Sequence, residues 1–276
     1  MKTLYLVFFL WLTGSFSLSA QSVYYNHGHD NFLRLEFNKA LFLDDFDTRF
    51  LSFDSFLNGE FTIGKKNKIG FEIPFNRFLS VADDNSFIGP RRRVGAQLGN
   101  IAVAYQIRSL EHPSYFEIKL RLPTVIRTDL NGFVGVFTDY TERLPAVLPS
   151  LFSLEGSYTL ESKSTQGLYY RFKPGMKLLI PTNDDTIEDN VELLLDINIL
   201  GGYRNEIFDT NAGITTTSVL SEDVEFNDRV LRQLFFTLTI NAGASKPGFI
   251  VRMPFGNVIG SNYDLAFGVY FGYTFN

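Results

Sequence analysis

From residue 31 to the C-terminus the chain repeats one pattern: apolar and polar side chains alternate with period two, segment after segment. A β-strand sends successive side chains to opposite faces, so this pattern specifies sheet with one apolar and one polar face. Ile69, Phe71, Ile73 and Phe75 alternate with Gly70, Glu72, Pro74 and Asn76. Leu57, Gly59, Phe61 and Ile63 alternate with Asn58, Glu60 and Thr62, and Gly64-Lys65-Lys66-Asn67 joins the two segments as a tight polar turn. The same reading holds over 33–38, 116–123, 152–160, 168–178, 191–199, 234–240 and 263–275. Weaker candidates are Gly-rich (94–106), Thr-rich (210–220) or short (248–254). The total is about twelve strands, each near the ~9–11 residues a tilted membrane strand requires.

The connections add a second pattern, because short and long ones mostly alternate. Turns at Gly64–Asn67, Ser109–Pro113, Ser162–Gln166, Arg204–Asp209 and Ala244–Gly248 are short. Between them fall loops at Leu79–Arg92, Val125–Pro149, Pro181–Asn190, Ser221–Asp228 and Gly256–Ser261. Outer-membrane barrels show this asymmetry, with short periplasmic turns and longer external loops, and an even strand count leaves both termini in the periplasm. No later stretch approaches the ~18 apolar residues of a membrane helix, so a bilayer location requires a closed barrel. A soluble sandwich or lipocalin-like barrel also alternates, but strands this many and this long would give it a very large apolar core. We therefore expect an all-β, antiparallel transmembrane barrel over residues 31–276.

Composition agrees. Aromatic residues make up 16%, with 29 Phe and 13 Tyr, which suits strands and membrane interfaces. Mean hydropathy is +0.01, as expected when each strand shows one face to lipid and one to a lumen. The net charge of -5 argues against a nucleic-acid partner. There is no cysteine, hence no disulfide, thiolate metal site or cysteine nucleophile. Residues 1–20 read as a signal peptide: Lys2, the apolar run Leu4–Leu12, then small residues ending at Ala20, with cleavage before Gln21. Residues 21–30 would be a periplasmic arm. Export to the outer membrane of a Gram-negative cell is the expected localisation.

Three resemblances add to this reading. The terminal segment Tyr270-Phe271-Gly272-Tyr273-Thr274-Phe275-Asn276 resembles the β-signal that barrels present to the barrel-assembly machinery, which the resemblance implies as a partner. The Ala20-Gln21 site and the Tyr/Phe/Asn-rich composition resemble outer-membrane proteins of the Bacteroidota. Gly99-Asn100-Ile101-Ala102-Val103-Ala104-Tyr105, then Phe116 to Leu122, then Pro123-Thr124, is similar to the FadL-like barrel proteins grouped as "MetA-pathway of phenol degradation", a resemblance that implies a transporter. That family favours Asp where Asn100 stands and Gly where Val125 stands. The similarity covers about thirty residues and implies passage of small hydrophobic molecules.

Parity assigns a lumen-facing set: Arg34, Glu36, Glu60, Glu72, Glu117, Lys119, Arg121, Glu155, Arg171, Lys173, Lys177, Glu192, Asp196, Arg252 and Asp264. Charges facing lipid cost ~2–4 kcal/mol for Arg or Lys at the midplane, so they belong inside. Both signs are nearly balanced, which suits paired charges in a narrow or closed lumen rather than a single-sign ion filter. Salt-bridged filling and a solute path are both compatible with it. The longest loop is too apolar to be simply solvated: Phe133, Val136, Phe137, Tyr140 and Leu144 suggest a lid or hydrophobic mouth, or equally an extension of the flanking strands or an interfacial helix.

Acidic clusters at Asp44–Asp47, Asp83–Asp84 and Asp184–Asp189 could hold divalent cations, but solvated loops are the simpler reading, and no metal is expected. Arg91-Arg92-Arg93 could meet lipopolysaccharide phosphates, making outer-membrane lipid and lipopolysaccharide expected partners. His27, His29 and His112 form no ligand set, and no nucleophile elbow, P-loop or dinucleotide fingerprint appears. The sequence thus points to a channel or transporter for a small solute, a hydrophobic one on the family resemblance, without cofactor and not an enzyme. A structural or partner-binding barrel and a lipid-modifying barrel enzyme are the alternatives.

Overall fold

A computed structural model describes residues 31–42, 53–81, 92–125, 138–139, 141–162, 166–182, 191–221, 230–255 and 263–275. The segments expected over residues 1–20 and 21–30 lie outside the described residues. The strands are β1 (Asn31–Phe42), β2 (Phe53–Ile63), β3 (Asn67–Val81), β4 (Arg92–Leu98), β5 (Ala102–Arg108), β6 (Ser114–Arg121), β7 (Leu151–Glu161), β8 (Gly167–Pro181), β9 (Glu192–Arg204), β10 (Phe208–Val219), β11 (Val230–Ile240), β12 (Ser245–Pro254) and β13 (Tyr263–Phe275). All pairings are antiparallel and, β4 apart, run between strands that follow one another around the barrel; β1 closes on β13 from Asn31↔Phe275 to Leu41↔Leu265. The result is a closed twelve-stranded barrel.

Thirteen strands make twelve staves because β4 and β5 share one. Both pair with β3, β5 along Asn67–Glu72 and β4 along Phe75–Val81. Between them Gly99–Ile101 opposes only Ile73 and Pro74, one residue too many, so the stave is bulged. Pro74 falls opposite the bulge, where its missing N–H costs no ladder bond. This is why 94–106 alternates poorly in sequence.

The strand ends joined by short connections (64–66, 109–113, 162–166, 205–207 and 241–244) lie at one end of the barrel together with Asn31 and Phe275, and the strand ends joined by long ones (43–52, 82–91, 122–150, 182–191, 220–229 and 255–262) lie at the other. Gly64 takes φ +71° to close the first turn. The last hairpin turns at 241–244, slightly ahead of the expected position, and β3 and β8 run 15 residues, longer than a minimal membrane strand.

The barrel is inside-out. Leu35, Phe37, Leu57, Val103, Ile118, Leu154, Phe236 and Phe267 are exposed, while Glu36, Lys68, Arg121 and Arg252 are almost completely buried. Such an outer face is stable only against hydrocarbon. Tyr105, Tyr158, Tyr170, Tyr203 and Tyr273 are all exposed and lie within a few residues of the short-turn end, as an interfacial aromatic belt does.

Candidate functional site: a strap across the lumen

The inward side chains meet in register. Lys119, Glu155 and Lys177 are direct cross-strand neighbours on β6, β7 and β8, so charges alternate along the row. Lys119 lies 3.4 Å from Glu155. Arg121 reaches past Ala102, its own partner on β5, to Glu72 at 2.7 Å on the strand beyond. A larger residue at Ala102 would obstruct that bridge. Nearer the short turns, Glu60 pairs with Lys68 at 3.2 Å, Lys173 with Glu117 at 3.6 Å and Arg171 with Glu161 at 2.9 Å. Buried charges demand such partners, and each pair is charge-assisted.

Of the residues assigned to the lumen from sequence, Arg34, Glu36, Glu60, Glu72, Glu117, Lys119, Arg121, Glu155, Arg171, Lys177 and Arg252 are buried inside the barrel. Lys173, Glu192 and Asp196 are half-buried, and the side chain of Asp264 lies outside the described residues. The alternation missed further inward polar groups: Asp54, Lys68, Gln106, Thr215, Thr217 and Gln233. They share the parity of the charged set, and that parity could have found them.

The connection between β6 and β7 does not stay at the rim. Residues 138–139 and 141–150 fold into the lumen and contact the wall on many sides. Thr138 donates to Asp54 of β2. The Thr141 hydroxyl donates to Gln233 of β11 at 3.2 Å, and its carbonyl accepts from Lys177 of β8 and Thr217 of β10, both at 2.9 Å. Glu142 accepts from Asn198 of β9 at 2.8 Å. Asp139 lies 3.6 Å from Arg252 of β12. Arg143 sits 3.2 Å from Glu36 of β1, 3.0 Å from Glu72 of β3, and over the Phe56 ring at 3.7 Å. We call this segment the strap.

Glu36 is the hub. It receives Arg34 at 2.9 Å, Arg143 at 3.2 Å and Arg252 at 3.1 Å, with the Asn38 amide at 2.8 Å. The carboxylates around Arg143 outweigh its burial and raise its affinity for the proton. Burial pushes the Glu142 carboxyl up, and Asp139 pushes the same way against Lys173, Lys177 and Lys119.

The strap ends in one helical turn, Leu144–Val147, followed by Ser150 at φ +50° leading into β7. This part docks on the bulge. The Asn100 amide donates to the Pro145 and Leu148 carbonyls at 2.9 and 2.6 Å, and its oxygen accepts the Val125 N–H at 2.9 Å. The Asn100 N–H donates to Ala146 at 2.7 Å. Gly99 allows the approach: a Cβ there would lie 2.6 Å from the Ala146 carbonyl and 2.6 Å from Pro74. Thr124 bonds the Gly99 carbonyl at 2.6 Å.

Of the residues read as a lid, Phe133, Val136, Phe137 and Tyr140 lie outside the described residues. Leu144 is half-buried at the start of the helical turn. The described strap enters by its polar residues, Thr138 to Arg143, which sequence reasoning passed over in favour of the apolar ones around them. The signal was present: six consecutive side chains, Thr138 to Arg143, that can hydrogen-bond or carry charge, inside a loop. Beside the strap remains a cavity of about 40 Å³ lined by Lys119, Glu142, Glu155, Lys173, Lys177 and Asp196. That is room for a few water molecules but no solute. Arg91 and the side chains of Arg92 and Arg93, His27, His29 and the acidic clusters lie outside the described residues. Among those described, no group of three or more His, Cys, Asp or Glu is placed to hold a metal.

No protein-family model matches the chain, and no curated protein matches it, so the likeness to Bacteroidota and FadL-like families gains no support from sequence. Solved structures do match in fold. An outer membrane channel from Pseudomonas putida F1 is similar with a TM-score of 0.58 and 12% identity, covering 95% of this chain and 98% of that one. LpxR from Salmonella typhimurium is similar with a TM-score of 0.52 and 9% identity, covering 88% of this chain and 100% of that one. The expectation that the chain is not an enzyme is corrected by the second match: LpxR is an outer-membrane barrel enzyme, so the fold gives no ground for excluding catalysis. The fold is that of an outer-membrane β-barrel.

Proposed function

We propose that this chain is an outer-membrane channel that passes a small solute by diffusion, with the strap as its gate. The observation that carries this reading is the strap's reach: residues 138–143 contact β1, β2, β3, β8, β9, β10, β11 and β12, so one short segment lies across the lumen. A barrel filled for stability alone needs only wall-to-wall pairs, as between Lys119 and Glu155. Tethering a loop to eight strands instead makes occupancy of the lumen depend on one segment.

The wall's balanced charges favour neither cations nor anions. Leu148, Leu151, Leu179, Leu194 and Val219 form an apolar cluster toward the long-loop end, next to the charged layer. A small solute with both an apolar and a polar part suits that succession of linings. The chain would reach the outer membrane through the signal peptide and the β-signal resemblance of β13.

Liposome flux tests the reading. Wild-type protein should pass small uncharged solutes slowly, and Arg143→Ala, with the anchor between Glu36 and Glu72 removed, should pass them at least several-fold faster. Equal, negligible flux through both folded barrels would overturn it.

A further inference from the structure

We propose that the bulge at Gly99–Ile101 is the fixed pivot of the gate, with Asn100 its positioning residue: residues 145–150 stay on the wall while 138–143 swing away. This rests on the channel reading above. The two halves of the strap are attached by different chemistry. Residues 138–143 are held largely by side chains, many of them charged, from strands across the lumen. Residues 145–150 are held by neutral bonds to the adjoining wall.

Those neutral bonds saturate Asn100. Its side-chain amide spans Pro145 and Leu148, its side-chain oxygen takes Val125, and its backbone N–H takes Ala146. Its carbonyl accepts Arg121 at 3.0 Å, which ties the pivot to the Glu72 layer of the wall. Ser150 supplies an independent observation. It is a non-glycine residue at φ +50°, and such a conformation persists only where the surroundings fix it. Its N–H donates to Val125 at 2.8 Å, and its carbonyl accepts both the N–H and the hydroxyl of Thr182 at 2.8 Å. The segment therefore continues the wall between β6 and β8 at this point. Gly99 and Thr124 complete the knot. The Gly99-Asn100 and Pro123-Thr124 pairs, separate in sequence, are thus one structural device: an extra residue in the stave that makes a dock.

The chain has no cysteine, so two introduced thiols are the only ones. Thr141→Cys/Thr217→Cys ties the mobile half to β10, and Val125→Cys/Ser150→Cys ties the pivot to the wall. Each pair is joined by a short bifunctional thiol reagent and the barrel is recorded in planar bilayers. The first crosslink should abolish current steps that the same unlinked variant shows; the second should leave their size and frequency unchanged. Loss of current on linking 125 to 150 would overturn the pivot. Backbone hydrogen exchange gives a readout that needs no conduction. The Asn100, Val125 and Ser150 amides should exchange ~100-fold more slowly than those of Glu142 and Arg143, because the former open only with the wall. Asn100→Ala should raise exchange at Val125, whose N–H loses its acceptor, while the β6–β7 ladder stays protected. Comparable rates in the two halves, or no change at Val125 in Asn100→Ala, would sink the pivot even if the channel conducts. Protected pivot amides in a barrel that never conducts would instead count against the channel reading alone.

Discussion

The two halves of the strap occupy the same lumen and follow each other in sequence, yet they are held in opposite ways. Residues 138–143 meet Glu36, Glu72, Asp54, Lys177 and Arg252, side chains that must find a partner once buried. Residues 145–150 meet backbone, one amide and the Thr182 hydroxyl, and lose little if a neighbouring charge changes. Buried ion pairs are weak sources of net stability but costly to leave half-made. Neutral, fully satisfied hydrogen bonds at a sheet edge behave like the sheet itself. A segment that is to release at one end and hold at the other needs both kinds.

The comparison breaks most severely at Arg143. Arg143→Ala removes the cation that Glu36 and Glu72 share; Arg34 and Arg252 still meet Glu36 and Arg121 still meets Glu72, so the loss is at most the about 3–5 kcal/mol of a buried charge left unpaired. We expect the strap's first half to be largely released, seen as frequent current steps, while the barrel keeps its resistance to detergent denaturation at room temperature. Gly99→Ala follows: the new methyl meets the Ala146 carbonyl and Pro74, so 145–150 must shift, and proteolysis of the strap should increase. Asn100→Ala strands the Pro145 and Leu148 carbonyls and the Val125 N–H, about 1–3 kcal/mol, and should blur current steps rather than multiply them.

Glu142 gives the smallest effect and a sign. Its proton binds more tightly in the buried strap than in a released, solvated one. Acid therefore favours the closed state through this group. The contribution is full below the ordinary carboxylate range and is lost as pH rises through the raised value. Glu142→Gln retains the acceptor for Asn198 and should flatten that part of the pH dependence of open probability.

The barrel was legible because alternation is a property of single strands. Ile69 to Asn76 announces its two faces without reference to any neighbour, and the balance of short and long connections orders the staves. The broken stave was not legible, since the extra residue among Gly99–Ile101 acquires meaning only opposite Pro74. Eleven of the charged residues picked by parity are buried, but Asp54 and Lys68 were passed over although charged, as were the uncharged Gln106, Thr217 and Gln233. The strap's direction was least legible. Thr138, Asp139, Thr141, Glu142 and Arg143 look like an ordinary solvated loop until Asp54, Gln233, Asn198 and Glu36, remote in sequence, converge on them. The motif at Gly99-Asn100 and Pro123-Thr124 was visible as a resemblance, and its physical content, a dock for residues 145–150, required the three-dimensional contacts.

The central claim is that the strap gates a pore. Side-by-side single-channel recording of wild type and Arg143→Ala in planar bilayers tests it most directly. The account predicts brief, rare steps for the wild type and frequent steps of defined size for the variant, with weak ion selectivity from the balanced wall. Silence from both, with both barrels folded, would contradict it.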